Sequence, residues 1–152
     1  MSLLRDEDAA KLREIFDERL TGDVTLAHYT QQKSRLVVPG AAQCSSCRDA
    51  RTLLEELSAT SDRITLEVHD FAAELAEAEA IGVGKIPATL IKGEESDGRV
   101  RIFGLPSGYE FAALIEGIID VGNGTTDLAP EVVTALGGLQ KDVHIQVFVT
   151  PT

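Results

Sequence analysis

The feature that most constrains this chain is a cysteine pair, Cys44 and Cys47, which lies between a predicted strand and a predicted helix. These are the only cysteines in 152 residues, so the multi-disulfide framework of small secreted proteins is excluded. The spacing Cys-x-x-Cys is compatible with three interpretations: a dithiol that closes into a disulfide, half of a zinc site, or two inert thiols. A strand before the pair and a helix after it favour the dithiol.

A zinc site within the chain requires two ligands beyond the cysteines, because structural zinc is bound by four. The only histidines are His28, His69 and His144, and none lies near another at ligand spacing. We therefore expect no metal. A static disulfide, or a metal half-site completed by another molecule, stays open as an alternative.

Apolar periodicity predicts an α/β fold. Helices are predicted over residues 6–20, 44–57, 71–81, 109–121 and 130–139. Strands are predicted over residues 24–29, 64–68, 88–91, 100–103 and 142–150. Asp70 is predicted to cap the third helix, and residues 93–98 to form a hairpin loop.

The chain contains an internal repeat. Asp23–Tyr29 aligns with Asp142–Phe148 at a constant offset, and each follows a helix and a break. The repeat predicts a complete unit over residues 1–121. Residues 122–152 are then a linker with the first helix and strand of an incomplete second unit. The alternating strand 142–149 would expose an apolar edge, so we expect it to pair with the first sheet or with another copy in a homo-oligomer.

Composition limits the partners and the location. The chain has 14 Lys and Arg against 25 Asp and Glu, a formal charge of −11. This excess of acid disfavours nucleic acid and anionic membrane surfaces, which attract basic proteins. No apolar run is long enough to span a bilayer, and the N-terminus lacks a signal-peptide pattern. We expect a cytoplasmic protein.

Helical spacing distinguishes the two sulfurs. Arg48 and Arg51 follow Cys44 at helical intervals on a polar face, whereas Cys47 shares the edge of an apolar stripe with Leu54. A helix N-terminus also favours the thiolate. The pattern therefore predicts that Cys44 attacks a substrate and Cys47 resolves the mixed disulfide.

Two further residues are candidate modulators of the thiol pKa. Arg48 could favour the Cys44 thiolate, and a solvated basic helix face is the more ordinary alternative. His28 lies on the strand leading to the pair, on the face of Val24 and Leu26, where it could accept a proton during resolution. A hydrogen-bonded strand histidine is the alternative.

The order of motifs resembles the thioredoxin/glutaredoxin fold: Cys44-Ser45-Ser46-Cys47 opens a helix, and Ile86-Pro87-Ala88 precedes a strand hairpin. Residues 103–111, Phe-Gly-Leu-Pro-Ser-Gly-Tyr-Glu-Phe, are similar to the stretch after the hairpin in protein disulfide oxidoreductases. Those proteins carry two thioredoxin-like units in tandem, and residues 147–152 resemble the strand that leads into the second unit's motif.

This resemblance implies a central mixed sheet flanked by helices, with an incomplete second-unit extension. It implies a cis proline at Pro87 that faces the disulfide, with Ile86, Ser45 and Ser46 also facing the substrate. The expected activity is thiol–disulfide exchange on protein or small disulfides, in cell redox homeostasis. The Cys44–Cys47 disulfide itself would be the redox group, with no added cofactor.

Two other functions remain open. The flavoprotein component of alkyl hydroperoxide reductase carries a similar tandem module, so the domain could relay electrons from a thioredoxin-reductase-like flavoprotein. It could instead be a non-catalytic binding or assembly module. The segment 31–43 is longer than the resemblance predicts, and a specificity loop, an added strand and a surface excursion are all compatible with it.

Overall fold

A computed structural model describes residues 2–31 and 44–148 of the chain. The elements in chain order are α1 (Asp6–Arg19), β1 (Val24–Thr30), α2 (Cys47–Ser58), β2 (Ile64–Asp70), α3 (Leu75–Ala80), β3 (Ala88–Gly93), β4 (Ser96–Phe103), α4 (Tyr109–Asn123) and α5 (Pro130–Gly137). The inserted segment 31–43 lies outside the described residues, except for Gln31. No described helix is both long and apolar enough to cross a membrane.

The four strands form one mixed sheet in the order β2-β1-β3-β4. Strand β1 runs parallel to β2 and antiparallel to β3, and β4 pairs antiparallel with β3. The predicted α/β architecture, a mixed sheet flanked by helices, is confirmed. Tyr29 pairs with Ala88, so the residues just before β3 lie beside the carboxyl end of β1, where the chain leaves for the cysteines.

Alternation along β1 divides its side chains between two cores. Val24 and Leu26 belong to the larger core, which α1, α2 and α4 cover. Ala27 and Tyr29 belong to a smaller core on the opposite face, with Ala78 of α3. The central strand is therefore buried on both faces, and its two ends are held in fixed positions.

The carboxyl ends of α1 and α4 meet at the end of the sheet opposite the cysteines, just before β1 begins. Asn123 donates from Nδ2 to the Arg19 carbonyl over 2.7 Å and accepts at Oδ1 from the Thr21 amide over 2.8 Å. Beside this contact, Gly22 and Gly122 approach so closely that a Cβ on either one would overlap the other segment. This junction fixes the start of β1 against the last turn of α4.

Two predicted helix starts are wrong. Helix α2 begins at Cys47 rather than residue 44, since Cys44 to Ser46 form the turn that leads into it. Helix α3 begins at Leu75 rather than residue 71. The Asp70 carboxylate accepts from the amides of Ala72 and Ala73, so it stabilises the turn before α3 instead of capping the helix.

The prediction for the C-terminal strand is also wrong over the described residues. Residues 142–148 form no strand, make no pairing with the sheet, and are exposed. Helix α5 does form, at Pro130–Gly137, but none of its side chains is buried. Apolar periodicity alone does not create a strand, because a strand needs a neighbour to satisfy its backbone groups. Residue 149 lies outside the described part.

Candidate redox site

Cys44 and Cys47 form a disulfide, with their Cα atoms 5.5 Å apart. Cys47 is the first residue of α2 and only 3% exposed, whereas Cys44 is half-buried in the preceding turn. The Cys44 amide donates to Oε1 of Gln31 over 2.8 Å, which connects the turn to the end of β1. The predicted difference in exposure is present, but helical spacing from Cys44 does not cause it, because Cys44 lies outside the helix.

The disulfide lies at the amino end of α2. The first amides of a helix have no partner within it, and the aligned peptide dipoles place partial positive charge at this end. The Ser46 side chain makes no capping hydrogen bond there. A thiolate released by opening the disulfide would meet this favourable field.

The Ile86–Pro87 peptide bond is cis, and it lies next to the carboxyl end of β1. The Thr30 hydroxyl at that end donates to the Cys47 carbonyl over 3.5 Å. The Pro87 carbonyl accepts a hydrogen bond from the amide of Gly104, which follows β4, over 2.8 Å. The end of β1, the start of α2 and the start of β3 therefore converge around the disulfide.

The predicted substrate-facing residues differ in exposure. Ser45 is exposed, Ser46 and Ile86 are half-buried, and Pro87 is buried. Ile86 also packs against the smaller core. A partner would therefore meet Ser45 and the edge of Ile86 more readily than the ring of Pro87.

His28 is fully buried on the β1 face that α2 covers. Its Nδ1 lies 3.0 Å from Oγ1 of Thr89, and Nε2 has no hydrogen-bond partner in the described part of the chain. Burial lowers the pKa of His28 to about 4, and the positive charge of Arg51 contributes. The imidazole is therefore neutral at pH 7.

A cavity of about 470 Å³ opens beside the buried sulfur. Its walls come from the end of β1 and the exposed side of α2: Thr30, Gln31, Cys47, Arg48, Arg51, Thr52 and Glu55. Arg51 donates from Nε to Oε1 of Glu55 over 2.7 Å, so these two charges neutralise each other. Arg48 is exposed and makes no ion pair with another described residue.

The opposite face of the sheet is acidic near the site. Tyr29 and His69 stack with ring centroids 4.6 Å apart, and His69 Nδ1 lies 2.7 Å from Oε2 of Glu74. Burial raises the pKa of Tyr29, and the charges of Glu74 and Glu67 add to the effect. Among the described residues, the α2 side of the site therefore carries the positive charge of Arg48, and the opposite face of the sheet carries the acidic side chains of Glu67 and Glu74.

Sequence reasoning missed Thr30, Gln31 and Thr89. Thr30 could have been found, because it continues the alternation of His28 toward α2. The contact between Thr89 and His28 depends on the antiparallel register of β1 and β3, and Gln31 acts through its side chain across the turn. No spacing in the sequence gives either contact. Within the described residues, no group of three or more His, Cys, Asp or Glu side chains is placed to hold a metal ion.

A thioredoxin-like sheet with a Cys-x-x-Cys disulfide at the start of a helix defines the class of domain. The thioredoxin domain family matches residues 36–116, more than half of the chain, and the protein belongs to that family.

This chain is similar to parts of several longer proteins. An alkyl hydroperoxide reductase component of Xanthomonas campestris pv. phaseoli is 25% identical over 125 residues, which cover 81% of this chain and 22% of that protein. The NTD_N/C domain of the alkylhydroperoxide reductase AhpF from Enterococcus faecalis has a TM-score of 0.71 at 23% identity, covering 91% of this chain and 62% of that one. A protein disulfide oxidoreductase from Aeropyrum pernix has a TM-score of 0.72 at 21% identity, covering 89% of this chain and 55% of that one. The two structural likenesses show a shared fold.

Proposed function

We propose that this domain is a thiol–disulfide oxidoreductase acting on protein or small disulfides. The observation that carries the proposal is the disulfide between a half-buried and a buried cysteine at the amino end of α2. Membership of the thioredoxin domain family supports it. A purely structural disulfide needs neither this unequal exposure nor a helix N-terminus.

In the reduced form, the Cys44 thiolate attacks one sulfur of the substrate disulfide, and the other substrate sulfur leaves as a thiolate. The Cys47 thiolate then attacks Cys44 in the mixed disulfide. This second step restores the Cys44–Cys47 bond and releases the second substrate thiol. Two electrons pass from the domain to the substrate, and the protons of the dithiol pass to the released thiols. The reverse sequence oxidises a substrate dithiol.

The surrounding residues have proposed roles in the same cycle. Ile86 and Pro87 form the wall against which the substrate lies, with Ser45 and Ser46 at its edge. Arg48 favours the thiolate of the reduced pair. His28 is the proposed acceptor of the Cys47 proton during resolution, since its imidazole is neutral and its Nε2 has no partner among the described residues. The burial that lowers its pKa to about 4 disfavours the imidazolium, so His28 would hold the proton only transiently.

The deciding experiment is a redox titration of the purified chain in glutathione buffers, with free thiols trapped by alkylation and counted by mass spectrometry. A single two-electron transition is expected, with Cys44 alkylated first at neutral pH. Cys44→Ser and Cys47→Ser are the matched controls, and only Cys47→Ser should accumulate a stable mixed disulfide. A disulfide that never opens across the range would refute the exchange function. Faster reduction by glutathione than by a dithiol protein would indicate glutaredoxin-like specificity.

A second candidate function is an electron relay served by a flavoprotein reductase. The similarity to the Xanthomonas alkyl hydroperoxide reductase component over 125 residues favours it. The test supplies the disulfide form with NADPH, a thioredoxin-reductase-type flavoprotein and a small disulfide as the terminal electron acceptor, and follows NADPH oxidation. Turnover that is lost in Cys44→Ser would support the relay, whereas reduction by small thiols alone would favour a free exchange domain.

The division of the chain into a unit over residues 1–121 and the opening of a second unit over 122–152 also remains a proposal. The repeat of Asp23–Tyr29 at Asp142–Phe148 supports it, as do the exposed apolar side chains of the second copy. Pairing of residues 142–149 with another copy is the corresponding proposal for assembly.

A further inference from the structure

On the α2 side of the disulfide, the charge of the described residues is opposite in sign to the charge of the whole chain. The protein carries a formal charge of −11. Among the described residues that line the cavity beside Cys47, however, Glu55 is neutralised by Arg51, and Arg48 remains as the unbalanced charge. Asp49, the next residue, does not line the cavity. The walls beside the buried sulfur therefore carry net positive charge.

A second cation lies on the other side of the site. Lys85 is exposed and directly precedes the cis Ile86–Pro87 bond. It makes no ion pair or hydrogen bond with another described residue. Because the start of β3 lies beside the end of β1, Lys85 lies in a segment that adjoins the end of β1, whereas Arg48 directly follows Cys47 in α2.

Acidic groups restrict how a charged partner can approach. Glu67 and Glu74 lie near Tyr29 on the face opposite α2, and Glu74 contacts His69. A negatively charged segment is repelled from that face and attracted toward the side of Arg48. Electrostatics can thus orient a partner as well as attract it.

We propose that Arg48 and Lys85 select disulfide partners that carry acidic side chains next to their reacting cysteine. This inference rests on the proposed exchange function and names the chemistry of the partner. The domain as a whole repels such a partner, so the attraction is local and acts in the final encounter. It therefore weakens as salt shortens the range of electrostatic interactions.

The test uses two synthetic peptide disulfides that differ only in the residues flanking cysteine, glutamate in one and lysine in the other. The reduced chain is mixed with each peptide at low ionic strength, and the rate of peptide thiol release is measured. The ratio of the two rates is compared among the wild type, the double variant Arg48→Glu with Lys85→Glu, and a control. Because leaving-group chemistry is the same for every variant, changes in this ratio isolate the electrostatic contribution.

The control is Arg99→Glu, which reverses one exposed charge, half the change in the double variant, toward the far end of the sheet. The Arg99 side chain is 89% exposed, and its neighbour Val100 pairs with Ile91. Ile91 lies four residues along the chain from Pro87, about 13 Å at roughly 3.3 Å per residue. This control reverses the sign of an exposed cation without changing the charge beside the disulfide.

The double variant should shift the rate ratio toward the lysine peptide by on the order of fivefold, and high salt should abolish the shift. Arg99→Glu should change the ratio much less. An equal ratio in all three proteins would overturn the inference while leaving the exchange function intact. Failure of the wild type to reduce either peptide would refute the exchange function and the inference together.

Discussion

Two segments of this molecule follow the same sequence pattern and differ in burial. Residues 23–29, which contain most of β1, and residues 142–148 each begin with Asp-Val, and each is preceded by a helix and a break. At equivalent positions, Leu26 is fully buried and Ile145 is 76% exposed. Tyr29 is 5% exposed, whereas Phe148 is 88% exposed.

The difference shows that partners, rather than local pattern, decide whether an alternating segment becomes a strand. Strand β1 has β2 on one side, β3 on the other, and a core against each face. Residues 142–148 have no such neighbour in the described chain. Without hydrogen-bonded neighbours and buried side chains, nothing offsets the entropy lost on ordering the backbone.

Hydrogen exchange should give the largest contrast between the two segments. The amides of β1 should open only with global unfolding, which typically costs roughly 5–15 kcal/mol for a domain, and those of residues 142–148 should be nearly unprotected. Measurement at two protein concentrations extends the test to assembly. Protection of 142–148 that rises with concentration would mean that another copy pairs with this segment, and equal protection in both segments would contradict the comparison.

Substitution at the equivalent positions should give the next largest difference. Leu26→Ala removes a fully buried side chain and should lower the free energy of unfolding by about 2–5 kcal/mol. Ile145→Ala removes an exposed side chain and should change it by less than about 0.5 kcal/mol. Urea unfolding of both variants measures the two changes in the free energy of unfolding. Similar losses would show that residues 142–148 pack as β1 does.

The pH dependence of stability should reveal the burial of His28. Its pKa is about 4 in the folded chain against an ordinary 6.5, so the unfolded chain binds a proton more readily between these values. Stability is therefore complete above pH 6.5 and is lost as the pH falls toward 4. The expected loss between about pH 7 and about pH 5 is about 2 kcal/mol.

His28→Leu is the matched variant for this test. It keeps a large side chain under α2 and removes the titrating group, so its stability should fall less steeply over the same pH range. Urea unfolding at several pH values measures both proteins. Parallel pH profiles would show that other groups cause the loss.

The smallest effect on stability is expected for the side-chain hydrogen bonds that lie just before each copy of the repeat. Asn123→Ala removes bonds to Arg19 and Thr21 and should cost about 1 kcal/mol. Gln140→Ala removes one exposed bond to Gly138 in the C-terminal segment and should have no measurable effect. Thermal unfolding compares the two variants. An equal shift of the melting temperature would contradict the prediction that only the Asn123 bonds stabilise the fold.

Much of the fold could be predicted from local pattern, because segments such as 64–68 place apolar side chains at alternate positions. The strand cores at 24–29 and 64–68 lie within β1 and β2 as observed. Helix starts were less predictable. The chain at Cys44 turns before it becomes helical, and the Asp70 carboxylate binds amides two and three residues on, which competes with a helix start.

The site was partly predictable because its chemistry depends on two cysteines at a characteristic spacing. Cys44 and Cys47 could be named from the sequence, and the face of β1 on which His28 lies could be predicted from alternation, whereas its role stays a proposal. Thr89 and Gln31 could not be named. Their contacts depend on strand register and on the path of the turn, which are set by tertiary packing.

The close approach of Gly22 and Gly122 affects how a mutational scan of this protein should be interpreted. Neither position has room for a methyl group: a Cβ at Gly22 would overlap the Gly122 carbonyl, and a Cβ at Gly122 would overlap the Leu20 and Val24 side chains. A complete scan would score both glycines as intolerant as the cysteines, although they lie at the opposite end of the sheet. Sensitivity to substitution would therefore mark two separate clusters, and only a redox assay could distinguish the cluster that performs exchange from the cluster that closes the fold.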